Sequence, residues 1–392
     1  MKALPVRARA SVSLLFALMG STMGSWAARI PTVKAHVGLD DRHWGYASIS
    51  STAGSLLALV VVSSVIGRLG PRRLALTGAV VLLVDAPLAA LSRGPLPLVA
   101  GLLVQGFAAN LLSTPMNAQA VEVEKAYGRR IMASFHACFS VGMLAGGLAG
   151  AAAARAHVSP SAQLATTGTV LALLLARSAA WLPGDVVREA HERRPLRARL
   201  TPQLGLLGAV AFASSLAEGT CVQWSALYSS DALGRGAAAG ATTYACFSAT
   251  MTLTRACGDR VVHRVGRALY VRLSACVALA GILLALGPGT LPTAYAGFAL
   301  AGVGLACIVP TVYGIAGSQP GMTPGEGISV ATLGQWPAFL VGPLVVGGLA
   351  GAVGLRPALL LVAVAAVAVA ALSLRLREPG TPVAQSRALQ RA

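Results

Sequence analysis

Residues 131–153 read IMASFHACFSVGMLAGGLAGAAA. The run is long enough to cross a bilayer as a helix, which takes about 20 residues, and His136 is its one group that ordinarily titrates near neutral pH. Gly142, Gly146, Gly147 and Gly150 fall at the small-xxx-small spacing that lets membrane helices approach closely. The string Gly146-Gly147-Leu148-Ala149-Gly150 returns as Gly347-Gly348-Leu349-Ala350-Gly351, with Gly342 one turn ahead as Gly142 is in the first copy.

Outward from this run, comparable apolar segments cover about 11–30, 44–66, 74–92, 97–119 and 163–181, then 203–227, 237–257, 268–287, 292–315, 327–352 and 357–374. They are about twice the length of a barrel strand and do not alternate in and out, so helices are expected. Residues 183–202 form the longest polar stretch and divide the segments six and six. At a spacing of roughly 200 residues the halves overlay: Ala100-Gly101 on Ala296-Gly297, Gly106 on Gly302, Trp26 on Trp224, and Arg68-Leu69-Gly70 on Arg264-Val265-Gly266. The expected fold is an all-α polytopic membrane protein of twelve transmembrane helices in two pseudo-symmetric six-helix halves. Its parts are an N-terminal bundle (1–182), a basic cytoplasmic linker (183–202), a C-terminal bundle (203–374) and a tail (375–392). The first segment follows Lys2, Arg7 and Arg9 like a signal peptide, but its place in the repeat makes it a retained span.

Only 11% of the 392 residues are charged and mean hydropathy is +0.70, against about 25% charged in soluble domains. With the N-terminus cytoplasmic, roughly three quarters of the Lys and Arg residues fall on the inside, as the positive-inside rule demands. The net charge of +18 therefore reports topology and gives no reason to expect nucleic acid as a partner. A multi-pass protein of a bacterial cytoplasmic membrane, with both termini cytoplasmic, is expected. The partners are the lipid bilayer, a small-molecule substrate and protons, and the chain is expected to be a monomer.

Several chemistries find no residues to carry them. The three lysines, Lys2, Lys34 and Lys125, each precede Ala, so no phosphate-binding G-x-x-x-x-G-K-[ST] loop exists. The six cysteines lie in apolar stretches without metal-ligand spacing, and no nucleophile, base and orienting group recur at usable spacing. Neither an enzyme, a metal site nor a cofactor is expected.

The organisation resembles the major facilitator superfamily. Ser25-Trp26-Ala27-Ala28-Arg29-Ile30-Pro31, Met116-Asn117-Ala118-Gln119, Tyr127-Gly128-Arg129, Ser134-Phe135-His136, Glu218-Gly219, Trp224-Ser225 and Gly258-Asp259-Arg260 are similar to a bacterial branch of fucose-permease-like and inner-membrane permeases. The resemblance implies two six-helix halves, alternating access, and a gating loop between helices 2 and 3, here Arg68, Gly70, Arg72 and Arg73, matched by Arg264 and Gly266 in the second half. The acid usual in that loop is replaced by Gly67, and His263 takes the matching place. Glu122 or Glu326 are alternative partners for the loop arginines. The branch's Asp before the Trp of helix 7 is here Gln223.

Ionisable groups within spans each cost roughly 2.5–3.5 kcal/mol on the insertion scale, so each asks for a reason. Glu218 falls some 22 Å along the seventh segment by helical rise, too deep to snorkel, and is the leading proton-coupling residue, with His136 and Asp85 as further candidates. Arg29 is the expected partner of Glu218, since pseudo-symmetry brings helices 1 and 7 together. Trp26, Arg29, Gln105, Asn110, Asn117, Gln119, Gln223, Trp224, Gln335 and Trp336 are the expected substrate lining. Amides beside indole faces suit a sugar or another hydroxylated metabolite. The reading is a secondary-active transporter, with proton-antiport efflux as one alternative and a non-transporting sensor or scaffold as the other.

Overall fold

A computed structural model describes residues 3–128, 131–184, 201–320 and 324–376. The described residues are overwhelmingly helical: α1 (Ala3–Val37), α2 (Asp41–Leu69), α3 (Pro71–Ala90), α4 (Pro95–Tyr127), α5 (Met132–Arg155), α6 (Pro160–Ser178), α7 (Pro202–Leu227), α8 (Gly236–Val265), α9 (Arg267–Leu286), α10 (Leu291–Leu305), α11 (Ile308–Ala316), α12 (Pro324–Val353), α13 (Leu355–Ala358) and α14 (Leu360–Ser373). α10 with α11, and α13 with α14, each make one span. Among the described residues, eleven spans are both long and apolar enough to cross a membrane. The remaining expected segment, 237–257, lies in α8, which is long enough but carries Thr242, Thr243, Thr250, Thr252, Thr254 and Arg255. α8 can be polar because it packs against α5, α7 and α10 rather than against lipid alone. The arginine-rich run 188–199 and most of the tail lie outside the described residues.

Proline starts many of the helices, where its missing N–H costs nothing: Pro71, Pro95, Pro160 and Pro202 occupy first-turn positions. Side-chain caps complete others. The Asp40 carboxylate accepts the His43 N–H at 2.7 Å, and this bond holds the Asp40 carboxyl below its ordinary pKa. Ser159 and Thr201 cap α6 and α7 in the same way. Glu124 reaches across the α4–α5 turn and accepts the N–H groups of Ile131 and Met132 at 2.6 and 2.7 Å, placing a negative charge at the positive end of α5.

The two expected gating turns share one backbone geometry. Gly70 (φ 80°, ψ 154°) ends α2 and begins α3, and Gly266 (φ 84°, ψ 153°) does the same between α8 and α9. That region is essentially closed to residues with a Cβ.

α1 and α5 are in intimate contact. A Cβ on Gly142 or Gly146 would sit 2.3 or 2.0 Å from the Ala17 or Ser21 carbonyl oxygen. Ser25 Oγ donates to the Gly146 carbonyl at 3.2 Å across the same seam. Its repeat partner Gly347 instead meets Gly45 of α2, whose Cα would lie 2.7 Å from any Cβ at 347, so the same motif closes a contact within one half and a contact between halves. The halves meet along α5–α8 and α2–α12, and Leu57, Val60, Leu173 and Leu253 point outward, as lipid-facing side chains do.

Candidate functional site

Between the halves lies a cavity of about 1820 Å³ walled by α1, α2, α4 and α5 on one side and α7, α8, α11 and α12 on the other. Helix direction puts the start of α1, the α2–α3 turn and the α8–α9 turn at one end of the bundle. The cavity runs to that end, where the lining residues His263 and Ser318 are exposed. At the opposite end its lining residues Ile30 and Trp44 are buried.

One turn beyond Ile30, the buried Lys34 ion-pairs with Asp41 of its own half and, at 2.8 Å, with Asp231 of the other. Asp231 belongs to a π-helical turn, Tyr228–Ala232, that extends α7. The two partners across the seam stand 197 residues apart, within one residue of the spacing that sets Trp26 opposite Trp224.

At the centre, Glu218 Oε1 accepts from Arg255 Nη2 at 2.9 Å. The same arginine donates through Nε to the Ala306 carbonyl at 3.0 Å, and its Nη1 lies 3.5 Å from Ser140 Oγ on α5. Pro310 explains the second bond. In a continuous helix the residue four positions on would satisfy the Ala306 carbonyl, but that residue is Pro310, which has no N–H. The helix breaks between α10 and α11, and Arg255 takes the freed carbonyl. Pro343 does the same to the Phe339 carbonyl, which accepts from Thr52 Oγ1 of the other half at 2.9 Å.

Of the expected lining, Trp26, Gln105, Asn110, Gln223, Gln335 and Trp336 face the cavity, with Glu218 and His136. His136 also stands edge-on to Phe16, centroids 5.2 Å apart. The amide of Asn110 donates to the Ser55 carbonyl at 2.7 Å, and Gln335 accepts from the Tyr313 hydroxyl. The Gln105 Nε2 and Gln223 Oε1 atoms are buried without a partner.

Four expected lining residues stand elsewhere. Arg29 is 2% exposed and donates to the carbonyls of Gly150 and Val158; it braces α1 against its own half, and the Glu218 partner is Arg255 rather than Arg29. Asn117 donates to Ser113 one turn back on its own helix at 2.8 Å. Gln119 is buried and donates to the Pro183 carbonyl at 3.3 Å. Trp224 is fully buried in the core.

Asp85 is buried in α3 outside the lining. In the gating turns Gly266 reaches the cavity mouth, Arg72 donates to the Ala179 carbonyl at 3.2 Å, and Arg68, Gly70, Arg73 and Arg264 lie outside the lining. Glu122 stands 3.7 Å from Lys125, and the Glu326 side chain falls outside the described residues.

The sequence matches the Major Facilitator Superfamily over residues 10–335. The chain belongs to that superfamily. It is 33% identical over 341 residues to an uncharacterised MFS-type transporter of Yersinia pestis, covering 87% of this chain and 88% of the relative. Similarity at 33% identity extends over 345 residues to an uncharacterised transporter of Sinorhizobium fredii, 87% of this chain and 90% of that one. Membrane protein MosC of Rhizobium meliloti is 29% identical over 357 residues, 90% and 86% of the two chains. Among solved structures, a bacterial homologue of the human lysosomal transporter Spinster, inward-facing and unoccupied, superposes with TM-score 0.79 at 13% identity over 97% of this chain and all of that one. A point mutant of the nucleoside transporter NupG gives TM-score 0.73 at 13% identity over 95% and 99%. This major facilitator protein is therefore a multi-pass membrane transporter of small molecules.

Proposed function

We propose that this transporter moves a small hydroxylated organic solute across a bacterial cytoplasmic membrane by alternating access, coupled to protons through Glu218. The single observation that carries the reading is the central cavity, reaching one end of the bundle and closed at the other by the Lys34 ion pairs. Alternating access needs a site that faces one side at a time. Gln105 and Gln223 offer amides to hydroxyl groups, with Trp26 and Trp336 as apolar faces.

With both termini cytoplasmic, the cavity opens inward and the Lys34 cluster closes the outer side. Glu218 carries the proton, and His136 faces the same cavity as a relay. The protein works as a monomer, its halves 1–182 and 203–374 rocking against each other, with the gating turns at Gly70 and Gly266 closing the inner side in the opposite state.

Uptake into proteoliposomes under an imposed proton gradient tests the reading. Solute should accumulate uphill in the wild type, while Glu218→Gln retains only exchange and downhill flux. Uphill accumulation by Glu218→Gln equal to wild type overturns coupling at that residue.

A further inference from the structure

The cavity is unbalanced in charge. Among its described lining residues Glu218 is the one acid, set against Arg255 and Arg267, with His136 and His263 adding positive charge when protonated. A recess lined by one sign of charge concentrates solutes of the other. Arg267 is at the mouth, donating to the Gly314 carbonyl at 3.1 Å and to Ser318 Oγ at 3.3 Å.

The deeper arginine is held and yet not used up. Arg255 has five N–H donors. Its Nε is fixed on Ala306, and Glu218 engages Nη2 through Oε1. The Arg255 side chain is 26% exposed and faces the cavity. Nη1 also lies 3.5 Å from Ser140 Oγ, which leaves one further N–H on each of Nη1 and Nη2, and a guanidinium so oriented beside an aqueous recess is suited to take a planar carboxylate. Gln105 from one half and Gln223 from the other supply buried amide atoms without protein partners.

We infer that the solute is a small hydroxylated carboxylate, its carboxylate taken by Arg255 in exchange for Glu218 and its hydroxyls by Gln105 and Gln223. The inference rests on the transport reading above and narrows its substrate class.

The exchange also sets the proton stoichiometry. In the closed pair, Glu218 meets the guanidinium as a carboxylate. When the solute carboxylate displaces it, the freed Glu218 takes one proton from a hydronium ion in the cavity, which breaks one of its O–H bonds and is left as water, because two carboxylates side by side disfavour the second negative charge; Arg255 keeps its charge throughout. One monoanion and one proton enter together, so the loaded site carries the same net charge as the empty one. The other titratable groups near Glu218 are Cys221 on α7, Tyr244 on α8 and Tyr313 on α11, with His136 on α5 across the cavity. A neutral sugar would leave the Arg255–Glu218 pair closed and unlinked to protons, and an amine would meet two guanidiniums. A phosphate monoester brings a second charge that one exchanged carboxylate does not balance.

The test uses the full-length protein in detergent, titrated with lactate, glycerate, D-gluconate and D-glucuronate against D-glucose, D-glucosamine and D-glucose 6-phosphate at pH 6 and 8. At least one hydroxylated carboxylate should bind, more weakly at pH 8 by up to tenfold per pH unit, with the neutral, amine and phosphate analogues at least tenfold weaker. Arg255→Gln should lose that binding by tenfold or more. Glu218→Gln removes the competitor and should bind the carboxylate at least as tightly as wild type with no pH dependence, which keeps the inference testable should Arg255→Gln fold poorly. Binding of D-glucose, D-glucosamine or the phosphate in preference to every carboxylate overturns the inference, as does a panel in which no carboxylate binds. Each of those results leaves proton-coupled transport itself standing, because that reading is decided by uphill flux in Glu218→Gln.

Discussion

Lys34 Nζ lies 2.8 Å from Asp231 Oδ2 across the seam between the halves, while the same ammonium ion-pairs with Asp41 in its own half. Separation of the halves at this end therefore breaks one ion pair and leaves Lys34 with a counterion. Asp231, 39% exposed in its side chain and bonded by Ser230 Oγ at 2.6 Å, passes to water. The latch is released without stranding a buried lysine, the costly way to break such a pair.

Lys34→Met should favour opening at this end, because Asp41 and Asp231 then repel across the seam. With Ile30→Cys as reporter, labelling by a membrane-impermeant maleimide from that side should rise about tenfold, equivalent to ~1.4 kcal/mol in the conformational equilibrium. Asp231→Asn should move it the same way by less. Unchanged labelling in both variants would leave the cluster no part in closure.

Pro310→Ala should separate stability from transport. The new N–H can satisfy the Ala306 carbonyl and let α10 run on into α11 as one helix, so the melting temperature should rise. Arg255 then loses its anchor, and solute affinity should fall several-fold. A variant that gains stability and keeps wild-type affinity would show that Arg255 needs no orientation from the break.

Two glycines of the repeated motif should answer differently to alanine. A Cβ at Gly146 would sit 2.0 Å from the Ser21 carbonyl oxygen, whereas one at Gly348 meets nothing within 4 Å. Gly146→Ala should lower folded yield and melting temperature, and Gly348→Ala should leave both unchanged. Equal melting curves would remove close approach as the reason for glycine in α5.

Gln223→Ala should weaken solute binding about five- to tenfold, the worth of one hydrogen bond of ~1 kcal/mol, with folded yield kept. Trp224→Ala removes a fully buried side chain and should cost folded yield, while the fraction that folds binds solute within twofold of wild type. A reversal of the two outcomes would put the indole at the site and the amide in the packing.

Much of this molecule is legible in its residues, because a bilayer allows few ways to satisfy a backbone. The apolar segments, the polar mid-chain stretch and the matched strings around Gly70 and Gly266 lead to the helices seen, and the two glycines share torsions within a few degrees. Glu218 stands out as an acid deep in a span and does face the cavity. Its partner does not stand out, because ion pairing depends on where helices cross. Arg29 looks eligible by pseudo-symmetry, yet the carbonyls it serves lie in its own half. Arg255 sits in a span weakened by threonines, and its one advance signal is Pro310, which frees a carbonyl in a neighbouring helix. The Lys34 cluster had a signal too, since Asp231 stands 197 residues on at nearly the repeat spacing. Trp224 fails as a lining residue because the period of a helix says which residues share a face, not whether that face meets a cavity or a neighbour.

The bond from Thr52 to the carbonyl freed by Pro343 has a consequence for how the halves part. Thr52 and Phe339 both line the cavity, so water can replace each of them as the other's partner without leaving a polar group orphaned in hydrocarbon. A seam stitched by solvent-exchangeable hydrogen bonds resists shear while closed and offers little resistance once wetted. At this crossing, water entering from the cavity can take over the bond that joins the halves.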